Sequence, residues 1–151
     1  MTYSVSEILQ GLASVLSELK YPIYGSRRQQ DVKVPCFFIS IMPSTSTTEM
    51  DGRFMNELGL DIVFLQQENT INDSDEMYRI WDFLNQNLEF IPYTVGEESV
   101  LIHTYDRHMF VQDADMHYQL TIKNRVSLPT DAAKMASLEE INYEIKVKQQ
   151  S

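Results

Sequence analysis

The run VPCFFISIMP, residues 34–43, is apolar at nearly every step, while the segments around it turn or alternate. As a strand it places Phe37, Ile39 and Ile41 on one side and Cys36, Phe38 and Met42 on the other, the pattern of a central strand covered on both faces. A chain built around such a strand needs layers above and below it. Cys36 is the single cysteine, which excludes an internal disulfide and any multi-cysteine metal site. Set between Pro35 and Phe37, it reads as a buried, inert thiol, because a nucleophilic cysteine needs exposure and a nearby cation or helix N-terminus.

Pro43 ends the run, and residues 44–52 (STSTTEMDG) are polar and turn-rich. Phe54, Leu58, Leu60, Ile62 and Phe64 then alternate with Asn, Glu, Gly and Asp neighbours. The two runs pair most simply as a long antiparallel β-hairpin whose tip carries Thr47, Thr48, Glu49 and Asp51. Upstream, Ser4 and Glu7 have capping-box spacing, and Val5, Ile8, Leu9, Leu12, Val15, Leu16 and Leu19 follow at helical intervals until Tyr21-Pro22. Ile23-Tyr24 reads as a short strand, and residues 25–33 (GSRRQQDVK) as a polar loop carrying Arg27 and Arg28.

Downstream, the Asn-, Asp- and Ser-rich residues 69–76 suit the positive end of a helix dipole. Met77, Ile80, Trp81, Leu84 and Leu88 mark the apolar stripe of a second helix, which Pro92 closes. Residues 101–107 and 116–126 read as strands, the second with a wet face carrying His117, Gln119, Thr121, Lys123 and Arg125. Residues 128–137 (LPTDAAKMAS) read as a linker, after which Ile141, Tyr143, Ile145 and Val147 alternate with polar neighbours in a last strand or strand-like arm. An amphipathic strand hung from a linker must bury its apolar side, and in an assembly a neighbouring subunit's sheet edge offers the place.

This order predicts an α+β fold: a mostly antiparallel sheet with two helices packed on one face, a long β-hairpin and a C-terminal strand-like arm. At 151 residues the chain fits one domain, residues 1–128, followed by linker and arm at 129–151. A formal charge of -10 disfavours a surface that wraps nucleic-acid phosphates, though an acidic wall would let DNA slide past without sticking. The start MTYSVSEILQ has no basic segment followed by an apolar one, and nowhere do eighteen apolar residues run together; folding in the cytoplasm, without a membrane, is expected.

Two readings compete for Asp113, Asp115 and His117. If residues 111–118 form a continuous strand, these alternate side chains project together and offer two carboxylates and an imidazole to a divalent cation, as in a small metal-dependent enzyme. If QDAD at 112–115 is instead the turn between two strands, the aspartates bond their own backbone and His117 lies on the wet face beyond. The simpler turn reading is preferred, since no fourth ligand is identifiable. His103 and His108 read as surface or interface residues. The acidic cluster Asn72, Asp73, Asp75 and Glu76 lacks the glycine of a calcium loop, and the sequence has no Gly-rich phosphate loop and no Gly-x-Ser-x-Gly elbow. A non-enzymatic protein without cofactor or metal is expected; Arg27, Arg28 and Arg53, in or beside loops, read as salt-bridge donors to an acidic partner or, more commonly for such residues, as solvated charge.

Ile23-Tyr24, the polar loop, VPCFFISIM, the hairpin return LDIVFL and the later DADMHYQLTI together resemble a family of bacteriophage tail terminator (tail-completion) proteins. That family occurs in tailed phages and phage-tail-like particles of Gram-positive bacteria. Its recurrent features fall here on Ile23, Tyr24, Pro35, Cys36, Phe37, Phe38, Asp113, His117 and Tyr118, within residues 21–128. The resemblance implies a structural protein of the virion tail, assembled in the host cytoplasm. It would form a six-fold ring on the last ring of the tail tube, stop polymerisation and present the surface for the head connector. In a contractile particle it would also meet the sheath, and DNA would pass through its lumen. Contacts with neighbours would fall on Arg27 and Arg28, on the hairpin tip with Thr48, Glu49, Asp51 and Arg53, and on the arm residues Ile141, Tyr143, Ile145 and Val147. The STSTTEMDG tip and the C-terminal segment depart from the family pattern. A head-tail joining or neck protein is the nearest rival, and a monomeric small-molecule-binding domain with a deep apolar pocket is a more distant one.

Overall fold

Ser4 ends the extended entry to the first helix and its side chain accepts a hydrogen bond from the Glu7 N–H at 3.3 Å, the cap that its spacing predicts. The computed structural model in which this is seen describes residues 4–25, 32–66 and 74–127. Helix α1 runs Val5–Leu16 and buries Ile8, Leu12 and Leu16 completely. A single 3-10 turn, Ser17–Leu19, follows, and Lys20 in left-handed conformation turns the chain out before Pro22. Strands β1 (Ile23–Tyr24), β2 (Cys36–Ile41), β3 (Thr45–Thr48) and β4 (Arg53–Leu65) come next. Helix α2 (Ser74–Asn87) then precedes β5 (Phe90–Val95), β6 (Glu98–Gln112) and β7 (Asp115–Ser127).

The seven described strands form one sheet in the order β1-β2-β4-β7-β6-β5, with β3 beside the distal half of β4. The expected long hairpin is present: β2 pairs antiparallel with β4 from Cys36↔Leu65 to Ile41↔Leu60, and β3 continues from Thr45↔Glu57 to Thr48↔Phe54. Among the described strands only β1 and β2 run parallel. Among the described residues, β2 has a neighbour on its outer side only at Phe37 and Phe38, so it lies second from an edge rather than at the sheet's centre, which β4 and β7 occupy.

The period-two pattern sorts the side chains by face. Phe37, Ile39, Leu58, Leu60, Ile62, Phe64, Met116, Tyr118, Leu120 and Ile122 meet α1 and the α2 residues Met77, Ile80, Leu84 and Leu88 in the main core. Cys36, Phe38 and Val63 form a smaller cluster on the opposite face with Tyr24, Val32 and Leu65. The helices thus pack on one face, as the α+β pattern requires. Trp81 departs from its expected place in the buried stripe: it is 37% exposed on α2, because Met77, Ile80, Leu84 and Leu88 already fill the inward face.

Two features curl the sheet. Between Tyr105↔Thr121 and His108↔Gln119 the two residues Asp106 and Arg107 oppose Leu120 alone, with Asp106 at φ 53°, a bulge that bends β6. The first half of β6 then pairs with β5, a strand absent from the sequence reading because Pro92 looked like a helix stop. Proline is tolerated on an edge strand, where no ladder partner needs its missing N–H. Helix α1 lies between the edges of the curled sheet. One flank, at Gly11, meets β5, and the other, at Leu9 and Ala13, faces Ile39 and Ile41 of β2 across a groove.

The contact at Gly11 is close enough to test the packing. A Cβ added there would stand 1.9 Å from the Pro92 carbonyl oxygen and 3.1 Å from Ile91 Cγ2. Alanine normally gains up to about 1 kcal/mol over glycine inside a helix. Here overpacking against backbone, worth about 1–3 kcal/mol, opposes and exceeds that gain. Gly11→Ala is expected to lower the urea midpoint by a net loss of about 1–2 kcal/mol; an unchanged or raised midpoint would contradict this seating of α1 on β5.

Candidate assembly surface

The helix-covered core stops at Leu58 and Ile122, and beyond it β3, β4 and β7 continue together as a three-stranded ribbon. Across residues 45–57 and 123–126 no residue is buried. At the end of this ribbon Met50, Asp51 and Gly52 turn the chain, with φ of 65° at Asp51 and 69° at Gly52, and the Glu49 N–H closes the turn on the Arg53 carbonyl at 2.7 Å. The left-handed pair explains why Asp and Gly stand there.

Each predicted residue of the tip has a definite place. Thr48 is exposed opposite Phe54. Glu49 is held within the chain: Arg125 donates to it through Nε at 2.8 Å and Nη2 at 3.2 Å, a bidentate pair that ties the tip to β7. Asp51 and Arg53 approach to 3.9 Å and are 85% and 46% exposed at their side chains, so both remain open to a partner. Arg27, Arg28, Ile141, Tyr143, Ile145 and Val147 lie outside the described residues. The sequence reading missed Met50, which at 87% exposure is the most exposed large apolar residue described, flanked by the half-buried Phe54, Met55 and Val126 of the same ribbon. The signal was available in TEMDGRFM, where a methionine sits inside a polar turn.

On the sheet face away from the helices, the chemistry is paired off. His117 was expected on a wet face, and Asp61 among the polar alternates of β4. Instead Asp61 is 7% exposed, and His117 Nδ1 donates to its Oδ2 at 3.0 Å. A carboxylate only accepts, so this contact selects the Nδ1–H form of the ring. Phe110 stacks on His117 with centroids 4.8 Å apart and planes within 1°. Asp61 Oδ1 is buried with no hydrogen-bond partner, so the pair is costly to break.

The turn reading of QDAD holds. Asp113 and Ala114 take φ of 53° and 67° and form the two-residue connection between β6 and β7. The turn removes Asp113 from the alternation that would have set it beside Asp115 and His117, and among the described residues no three His, Cys, Asp or Glu side chains converge as for a metal. Cys36 is fully buried, and desolvation, followed by the charge of Asp115, pushes its thiol above the ordinary range. Both effects disfavour the thiolate. His103 is half-exposed, 3.6 Å from Glu89 and edge-on between Phe90 and Tyr105, while His108 is exposed on the far side of the bulge.

The geometry is a helix-backed sheet that carries an exposed ribbon with an apolar residue at its tip. A family model described as Phage tail terminator protein matches residues 7–134, and the chain belongs to that family. It is a structural protein of the bacteriophage tail, located in the virion tail and interacting with other tail proteins. Among curated proteins none matches the chain. No described helix is long and apolar enough to cross a membrane.

The Asp61–His117 pair gives a stability prediction. His117→Ala removes the hydrogen-bond partner of a nearly buried carboxylate and should cost about 3 kcal/mol or more at neutral pH. The double variant Asp61→Leu/His117→Leu, which removes both polar groups, should cost clearly less. Urea unfolding of the three proteins checks the order; a single variant as stable as the double would show that the pair is not coupled.

Proposed function

We propose that the chain is a non-enzymatic polymer cap, which needs neither cofactor nor metal. Copies close into a six-fold ring on the last ring of the tail tube, stop its growth and offer the head connector a docking surface. In a contractile particle the same ring meets the end of the sheath. The reading is supported by membership of the terminator family over residues 7–134, and the observation that carries it is the ribbon. It reaches past the core with Met50 exposed at its tip and the half-buried pair Phe54 and Val126 behind on one face, apolar surface that a monomer gains nothing by exposing. A cap differs from a tube subunit in being two-sided: one face matches the growing end and the other does not repeat it, so addition stops. The acidic balance fits a lumen through which DNA passes without being held.

Light scattering on the purified protein, with negative-stain images taken alone and with assembled tail tubes, tests the reading. Six-fold rings or densities on tube ends are expected. Met50→Glu, at a site too exposed to affect folding, should abolish them without moving the thermal midpoint. A wild-type monomer that ignores tubes, sheath and connector alike would overturn the proposal.

A further inference from the structure

Among the described residues, the outer side of β2 beyond Phe38 is an open strand edge beside an apolar groove. Phe37 N–H donates to the Pro22 carbonyl at 2.9 Å on the β1 side, while Met42 N–H donates to Gly59 at 2.8 Å on the β4 side. Backbone groups alternate direction along a strand, so Ile39 and Ile41 point theirs the same way as Phe37, away from β4. β1 ends at Tyr24, opposite Phe38, and among the described residues nothing pairs with β2 past that level. There the groove opens between β2 and α1, ≈ 870 Å³ in volume, with Leu9 and Ala13 on one wall, Tyr24 at one end, and Ile39 and Ile41 along the strand. Ile41 is 56% exposed although the alternation assigns it to the core face. An open edge with an apolar wall is the receptor half of a β-augmentation site.

The ligand half is in the same chain. In the sequence Ile141, Tyr143, Ile145 and Val147 alternate with polar residues at period two, and the chain continues for twenty-four residues past Ser127, the end of β7. We propose that residues 141–147 of one copy add as a strand to the β2 edge of a second copy, with their apolar side chains in the groove against α1. This rests on the ring reading above and names the contact that closes the ring.

Direction favours a second copy. β7 runs toward the ribbon tip, so at Ser127, opposite Arg53, the chain is moving away from its own groove. Ile41 lies opposite Leu60, seven residues back along β4, or about 23 Å. The thirteen intervening residues 128–140 span at most about 47 Å, enough to reach either groove, so it is the direction of β7 that favours a second copy. The other open edge near the tip, β3, is TSTT and fully exposed, and gives an apolar side chain nothing to bury against. A head-to-tail exchange of one arm into one groove per subunit leaves no β2 edge unfilled when the ring closes.

Disulfide trapping in the full-length protein tests this. Cys36 is fully buried and serves as a silent background. Ile41→Cys with Ile145→Cys, oxidised mildly, should lose its monomer band on a non-reducing gel to a ladder of covalent oligomers. Ile41→Cys with Asn142→Cys, on the arm's opposite side, should keep its monomer. Ala13→Cys with Tyr143→Cys gives a second pair should the first fail to fold. A disulfide confined within one chain, or none in either pair, would overturn the exchange. The mass of the same proteins under reduction separates the two claims: rings without trapping sink the arm alone, and a monomer that never assembles sinks the ring as well.

Discussion

β4 is hydrogen-bonded along both edges, to β2 and then β3 on one side and to β7 from Arg53↔Ser127 to Phe64↔Met116 on the other. Everything else takes its position from that thirteen-residue strand. A slip of one residue in either pairing would turn Leu58, Leu60, Ile62 and Phe64 out of the core and bring Asp61 into it. Gly59 marks the point where such a slip is resisted, since a Cβ there would come within 2.9 Å of Met42 Cβ, where β2 hands over to β3. The register also sets Asp61 one step from the Val63↔His117 pair, and so builds the buried carboxylate–imidazole contact from residues 56 apart in sequence.

The same strand divides the molecule into a body and a probe. Over its second half the helices cover one face and the core fills completely. Over its first half there is no helix, and the ribbon's rigidity comes from its ladders and from the Glu49–Arg125 clamp. A paired three-stranded ribbon loses less freedom on binding than a loop of equal length. The bulge at Asp106 and Arg107 does complementary work in the body, curling the sheet so that α1 sits between its edges.

Much of this was legible in local patterns. The Ser4 cap, the α1 stripe, the faces of VPCFFISIM, the hairpin and the one-sided helices follow from periods of 3.6 and 2 and from capping chemistry. What was not legible depended on partners distant in sequence. Pro92 stops a helix or sits on an edge strand depending on whether anything lies beyond it, and only the fold decides. Asp106 carries no local mark of a bulge. Trp81 fits the helical stripe by spacing, yet four smaller residues saturate the inward face. Asp61 looked like one polar alternate among several, although an aspartate in GLDIVFL, bounded by apolar residues, is the one that should have raised the question of a buried partner. The hairpin was legible, but Thr47 and Thr48, read as part of its polar tip, lie in β3; the turn itself is Met50–Gly52, Glu49 is held by Arg125, and Met50 presents the apolar surface.

If the chain is the polymer cap proposed above, affinity for the growing end matters less than the failure to repeat that end, because one bound ring would suffice to stop a tube. Polymerisation of purified tail-tube protein in the presence of rising, substoichiometric amounts of this chain measures that property directly, through tube lengths in electron micrographs. The account predicts that mean length falls as the chain is added and that the shortened tubes no longer elongate when fresh subunits are supplied. Tubes of unchanged length that keep growing would contradict it.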